Sequence, residues 1–301
     1  MPSTLSTVED PPGGKVPVVR TRRIQRILSS LETLPSLPTV VMRVMELADD
    51  ANANAADFEK LLQQDPALAQ RVLKLVNSPF FGLRHEVTSI SHAVVLLGFR
   101  TLRSVVVAAK TSKLLNRQLV QYGFRDGGMW KHSMSCATIC HFLAKRLELR
   151  SDEQERLFLA GLLHDVGKIV IAPQISEIQA EFDLRLRQNH GNLVKTEREL
   201  VGISHDEIGG RMAEQWKLPP GLCGLIAGHH TRPRTPLAAV LATANDLCHQ
   251  LGIGKGVTRK PAPGRAEWLQ TAGLGDGATL LADLERPLAE LQVVFESVVG
   301  E

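Results

Sequence analysis

From Ile24 to Gln250 the apolar residues recur every third or fourth position, and segment after segment closes on glycine, proline or a capping residue. That period gives each segment one apolar and one polar face, the pattern of packed helices; strands would alternate at every second residue. Ile24, Ile27, Leu28 and Leu31 share a face before Leu34-Pro35-Ser36-Leu37-Pro38 breaks the chain. Pro38 suits the first turn of a helix through Val40, Val41, Val44, Met45 and Leu47, and Asp57 or a neighbour opens a short one. Asp65-Pro66 reads as an N-cap with proline at the first helical position, and Ser89 as a cap for a helix that Gly98 ends. No segment alternates as a strand does, so the expected fold class is all-α. Aromatic residues make up only 4% of the chain, so the core must be aliphatic, which again favours helices over a sandwich.

Further helices are expected from Thr101 to about 115, from Met129 to about 147, and from a Ser151/Gln154 capping box through His164-Asp165, with Pro173 beyond its end. Others are expected at about 174–188, 192–201, 204–216, 220–229 and 236–250. The organisation that follows is a disordered leader at 1–21, a helical subdomain at 22–118, a second at 119–251, and a Gly/Pro-rich loop with a C-terminal helix at 252–301. In that last part Leu280, Leu284, Leu288 and Leu291 lie on one stripe, which Pro287 interrupts.

A net charge of +3 is too weak to imply a nucleic-acid partner. No apolar run reaches the ~20 residues that span a bilayer, and the first residues lack the apolar core of a signal peptide. A cytoplasmic protein is expected. Cys136, Cys140, Cys223 and Cys248 fit a reducing compartment, and their spacing is not that of a zinc ribbon. Cys136 and Cys140 stack above His132 and read as small core residues before they read as ligands.

The chemistry concentrates in Gly161-Leu162-Leu163-His164-Asp165-Val166-Gly167-Lys168. An ionised carboxylate in such an apolar run needs a cation, a metal or a hydrogen-bond network. Partners exist elsewhere: His132 early in one helix, His205-Asp206 opening another, His229-His230 closing a third, and Asp246 on a fourth. Histidine and aspartate are ligands for Mn, Fe, Zn or Mg, and helical folds assemble such sites from several helices. A carboxylate such as Asp165 could bridge two ions ~3.5–4 Å apart. The other reading is a structural one, with His164-Asp165 hydrogen-bonded to neighbours and holding helices in register.

His132, His164-Asp165 and Asp246 follow the order of the HD superfamily of metal-dependent phosphohydrolases. His164-Asp165-Val166-Gly167-Lys168, His205-Asp206-Glu207-Ile208-Gly209 and His229-His230 are similar to its HD-GYP branch. The Leu34–Pro38 segment, Asp65-Pro66, Asn77-Ser78-Pro79 and Ser91-His92-Ala93-Val94-Val95-Leu96-Leu97-Gly98 narrow it further: the chain resembles the HDOD family, HD-related output domains of bacterial signalling proteins, over residues 24–250. The resemblance implies an N-terminal helical subdomain packed on an HD-like one, and a regulatory module that acts on signalling proteins in trans, with one or two divalent metal ions or a nucleotide as ligand. His132, His164, Asp165, His205, His229, His230 and Asp246 are the metal ligands it implies. Thr231-Arg232-Pro233-Arg234 follows where the HD-GYP branch carries Gly-Tyr-Pro, so hydrolysis of a cyclic dinucleotide is not implied. The alternative is a metal-dependent phosphohydrolase, a phosphodiesterase acting on a nucleotide or cyclic dinucleotide. There a metal pair would supply hydroxide at neutral pH, with Asp165 and Lys168 the catalytic residues. Lys168 would offset charge on the phosphoryl oxygens, and His229 or His230 would pass a proton to the leaving group. Pro79-Phe80-Phe81 is the candidate lid.

Overall fold

The computed structural model describes residues 18–33, 39–50, 52–78, 81–254, 265–274, 280 and 283–284. Among these residues there are fourteen α-helices and no strand. The first five are α1 (Val18–Thr33), α2 (Thr39–Asp49), α3 (Ala55–Leu62), α4 (Pro66–Val76) and α5 (Ile90–Leu115). Then come α6 (Gly128–Arg146), α7 (Ser151–Leu163), α8 (Lys168–Ser176), α9 (Gln179–Gln188) and α10 (Leu193–Leu200). The last are α11 (His205–Gln215), α12 (Pro220–Ala227), α13 (Pro236–Gln250) and α14 (Arg265–Ala272).

Local chemistry sets most starts. Asp65 Oδ1 accepts from the Leu68 amide with Pro66 at the first position of α4, and Ser89 Oγ accepts from the His92 amide. α3 starts two residues before Asp57, because Asn54 is the cap and Asp57 answers from the third position to complete the box. At α7 the expected Ser151/Gln154 box does not form. Glu153 accepts from the Arg150 amide instead, and Gln154 turns back to the Leu149 carbonyl. Gly98 has φ 77°, so α5 is two helical pieces meeting at a kink.

Four other expectations change. α1 begins at Val18, inside the stretch expected as leader; residues 1–17, the Leu34–Pro38 break and Pro79-Phe80 lie outside the described residues. The helix expected to carry His164-Asp165 stops at Leu163, and both residues stand in the turn to α8. Pro173 is past the end of α7 but inside α8, and its missing N–H removes one bond from that short helix. The expected loop after 252 contains α14, which packs on α13. Leu280 and Leu284 of the C-terminal stripe are buried, and the rest of that stripe lies outside the described residues.

Packing follows from small residues where helices meet. On α7, Gly161 leaves room for α6: a Cβ there would lie 2.7 Å from the Ala137 Cα. At Gly210 a Cβ would lie 2.6 Å from that of Ala227, which brings α11 onto α12. At Gly167 it would lie 2.0 Å from the His205 carbonyl oxygen, so the turn after Asp165 rests directly on the start of α11. α2, α3 and α4 pack on α5, which packs in turn on α7. There Arg103 grips Glu155 through both carboxylate oxygens at 2.5 and 2.6 Å, both side chains being buried. α1 crosses to the other half: Arg23 donates to the Leu200 carbonyl, and Gln215 donates to that of Leu31.

Two helical stretches, Ile90–Leu115 and Ser151–Ser176, are long and apolar enough by composition to cross a membrane, contrary to the expectation of no such run. The second is 89% buried inside the protein and the first is kinked and half-buried, the condition of core helices.

Candidate metal centre

Helix ends converge at one point. His164 caps the C-terminus of α7, and Asp165 follows it in the turn. Lys168 opens α8, and His205 opens α11, where Glu207 accepts from the Ser204 amide. His229 and His230 follow α12 directly, and only His132 projects from within a helix, the first part of α6. The close approaches at Gly161, Gly167 and Gly210 draw these ends together, because each removes the Cβ that would hold two backbones apart.

Asp165 is the hub. Its Oδ2 lies 3.6 Å from His132 Nε2 and 3.5 Å from His164 Nε2, and accepts from Lys168 Nζ at 2.6 Å. Its Oδ1 lies 3.4 Å from His205 Nε2 and 3.6 Å from His229 Nε2. His230 Nε2 is 2.9 Å from His205 Nε2. The donor atoms form two groups, each within 4.8 Å: His132, His164 and Asp165 in one, Asp165, His205, His229 and His230 in the other. Asp165 belongs to both, one oxygen facing each way. All are buried except His230, which stands exposed at the edge.

Hydrogen bonds behind the rings fix which nitrogen faces inward. His164 Nδ1–H donates to the Gly161 carbonyl at 2.8 Å, and His229 Nδ1–H donates to that of Ile226 at 2.7 Å. His205 Nδ1–H donates to Glu197 Oε2 at 2.7 Å. Each therefore points Nε2 at Asp165, as metal-ligating imidazoles do. Glu197 is fully buried and takes two further bonds, from the His205 amide at 2.9 Å and the Tyr122 hydroxyl at 2.7 Å.

Burial works against ionising Asp165, but Lys168 and the surrounding histidines outweigh it and hold the carboxyl well below the usual range. Burial keeps His229 low and takes His132 down to about 3, so these rings are neutral at pH 7. On His205 burial also pushes down, yet Glu197 outweighs it and raises the ring to about 9. Asp165 Oδ1 and His229 Nε2 are buried, face one another and have no hydrogen-bond partner. Orphaned acceptors in an apolar interior are costly unless something positive joins them. Lys168 lies against Oδ2, its ammonium 5.6 and 5.3 Å from the Tyr122 and Phe124 ring centres, and the His205 ring faces Oδ1 at 3.4 Å, so a metal on that side would take the place of the ring's proton. Imidazole nitrogens and a carboxylate suit a borderline divalent ion, so the donors present fit the metal expected from the sequence.

Of the residues singled out in the sequence, His132, His164, Asp165, His205, His229, His230 and Lys168 come together. Asp246 is buried on α13, accepts from Gln250 at 2.7 Å, and falls in neither donor group. α13 also carries His249, whose ring centre is 5.0 Å from that of His132 and which likewise falls in neither donor group. Sequence reasoning missed His249, Glu197 and Tyr122. A buried glutamate eight positions before His205 carries no local signature, and only the turn between α10 and α11 reveals its partner. Cys136, Cys140 and Cys248 are buried free thiols of the core.

The HDOD domain family matches residues 34–232 of the chain. A solved HDOD domain protein from Geobacter sulfurreducens has the same fold, with a TM-score of 0.72 and 23% identity over 93% of this chain and 98% of that one. A proposed phosphohydrolase from Shewanella amazonensis SB2B gives a TM-score of 0.69 and 26% identity over 89% and 97%. In sequence, an uncharacterized protein of Treponema pallidum (strain Nichols) is 27% identical over 226 residues, 68% of this chain; the chain spans 40% of that relative's length.

Proposed function

The chain belongs to the HDOD domain family, and on that premise we propose that it is a regulatory module of bacterial signal transduction whose buried histidine–aspartate centre holds one or two divalent metal ions. It would work in the cytosol on signalling proteins in trans. The observation that carries the metal is the inward set of His164, His205 and His229 Nε2 atoms around the two oxygens of one aspartate. Regulation rather than turnover is favoured by enclosure: the donors are buried, with only His230 at the surface, and a bulky substrate would have to displace protein to reach Asp165. A metal held between the ends of α7, α11 and α12 would stiffen the surface they form, and binding energy spent there is stability of that conformation.

The test is elemental analysis and melting of the purified protein after loading with Mn or Fe and desalting. One or two equivalents should remain and raise Tm, and Asp165→Asn should lose both. Trace metal only, after loading, would overturn the reading. The second reading is a metal-dependent phosphohydrolase. It is supported by Lys168 beside Asp165, by exposed His230, and by the name of the Shewanella protein. It predicts hydrolysis of a generic phosphodiester by the loaded protein, abolished by Asp165→Asn and absent if the module is purely regulatory.

A further inference from the structure

Away from the metal centre a small cleft lies where α5 meets α6 and α7, across the junction of the two halves. Its volume is ≈ 40 Å³. At about 10–15 Å³ of such volume per water, it has room for roughly three waters, or one tetrahedral ion. Phe81, Val105 and Phe158 give it an apolar side. The polar side is the unusual one. Ser104 lines the cleft at 5% exposure, and its hydroxyl is buried with no hydrogen-bond partner. Arg100, one turn earlier on α5, also lines the cleft and has no carboxylate partner among the described residues. From across the cleft come the side chains of Ser151 and Gln154 in the first turn of α7, where the Glu153 and Gln154 amides already donate to the Arg150 carbonyl. The one carboxylate lining the cleft, Glu155, already has both oxygens on Arg103. What is left over is one guanidinium and hydroxyl donors, with no carboxylate lining the cleft free to pair the charge.

We infer that this cleft binds a small tetrahedral oxyanion of the phosphate type, free or as the terminal group of a small phosphomonoester, with Arg100 and Ser104 as its principal ligands. Arginine matches such an oxyanion with paired N–H donors, and the orphaned Ser104 hydroxyl gains the acceptor it lacks. Because α5 belongs to the N-terminal half and α7 carries His164 at its far end, an anion held here would tie the two halves together along α7.

Calorimetric titration of the chelator-treated protein with inorganic phosphate, and separately with glycerol phosphate, tests the assignment. Saturable binding is expected. It should weaken about tenfold or more in Arg100→Ala, the loss of one charge-assisted contact, and fall also in Ser104→Ala. The Asp165→Asn variant must keep it, since the metal centre also attracts phosphate. Binding of phosphate alone assigns the cleft to the free ion; tighter binding of glycerol phosphate assigns it to a phosphomonoester. No saturation at millimolar concentrations of either, or affinity unchanged in Arg100→Ala, overturns the inference. The Arg100→Ala melting curve guards against misfolding: the exposed guanidinium should be removable with little change in the anion-free Tm.

Discussion

Glu197 shows how much one hidden side chain can decide. It touches no atom of Asp165, yet it holds His205 by both the ring and the backbone amide while Tyr122 fixes its other oxygen. Carboxylates behind a ligating histidine set its tautomer and orientation, and their loss costs about 10–100-fold in metal affinity. Glu197→Gln should therefore weaken Mn binding by that factor in a calorimetric titration while the protein stays folded. Unchanged affinity would mean that His205 needs no such support or is not a ligand.

At the scale of the helices, glycine matters more than the ligands themselves. Gly161 lets the α6 and α7 backbones approach, and so lets His132 Nε2 come within 3.2 Å of His164 Nε2. A methyl group there meets backbone atoms, which cannot rotate away, so the helices must separate. Gly161→Ala should cost about 1–3 kcal/mol in urea unfolding and loosen metal binding with it. Gly224 of α12 provides the contrast: a Cβ there meets nothing within 4 Å, so Gly224→Ala should be neutral or stabilising by up to about 1 kcal/mol. A gain at both sites would show that helix propensity outweighs the close approach at Gly161.

For the molecule as a whole, buried histidines tie folding to pH. His132 is held at about 3, and His141 and His249 at about 4, all by burial, against an unfolded value of 6.5. Their folded values are depressed, so the stability they confer is present above pH 6.5 and is lost as pH falls towards those values. His205 is the opposite case: raised to about 9, it contributes fully below 6.5 and its contribution disappears as pH rises through 9. The metal-free protein should thus be most stable near pH 6.5. For fully buried His132 the loss between pH 6.5 and 5 is about 1.5 kcal/mol. Melting in chelator from pH 5 to 9 checks this, and Glu197→Gln should flatten the alkaline limb alone. A flat profile in the native sequence would refute the assignment of these rings as neutral.

The sequence by itself determined the helical class and the Asp65 and Ser89 starts, because period and capping act over three or four residues. It also determined which side chains could form a centre around Asp165, since a carboxylate among leucines demands a partner. The tertiary structure alone decided that Asp165 stands in a turn between two helices, that Glu197 lies behind the His205 ring facing it, and that α14 occupies an apparent loop. These depend on contacts between residues tens of positions apart. Such contacts hang on where Gly161, Gly167 and Gly210 let backbones touch, and no local pattern in the chain records that distance.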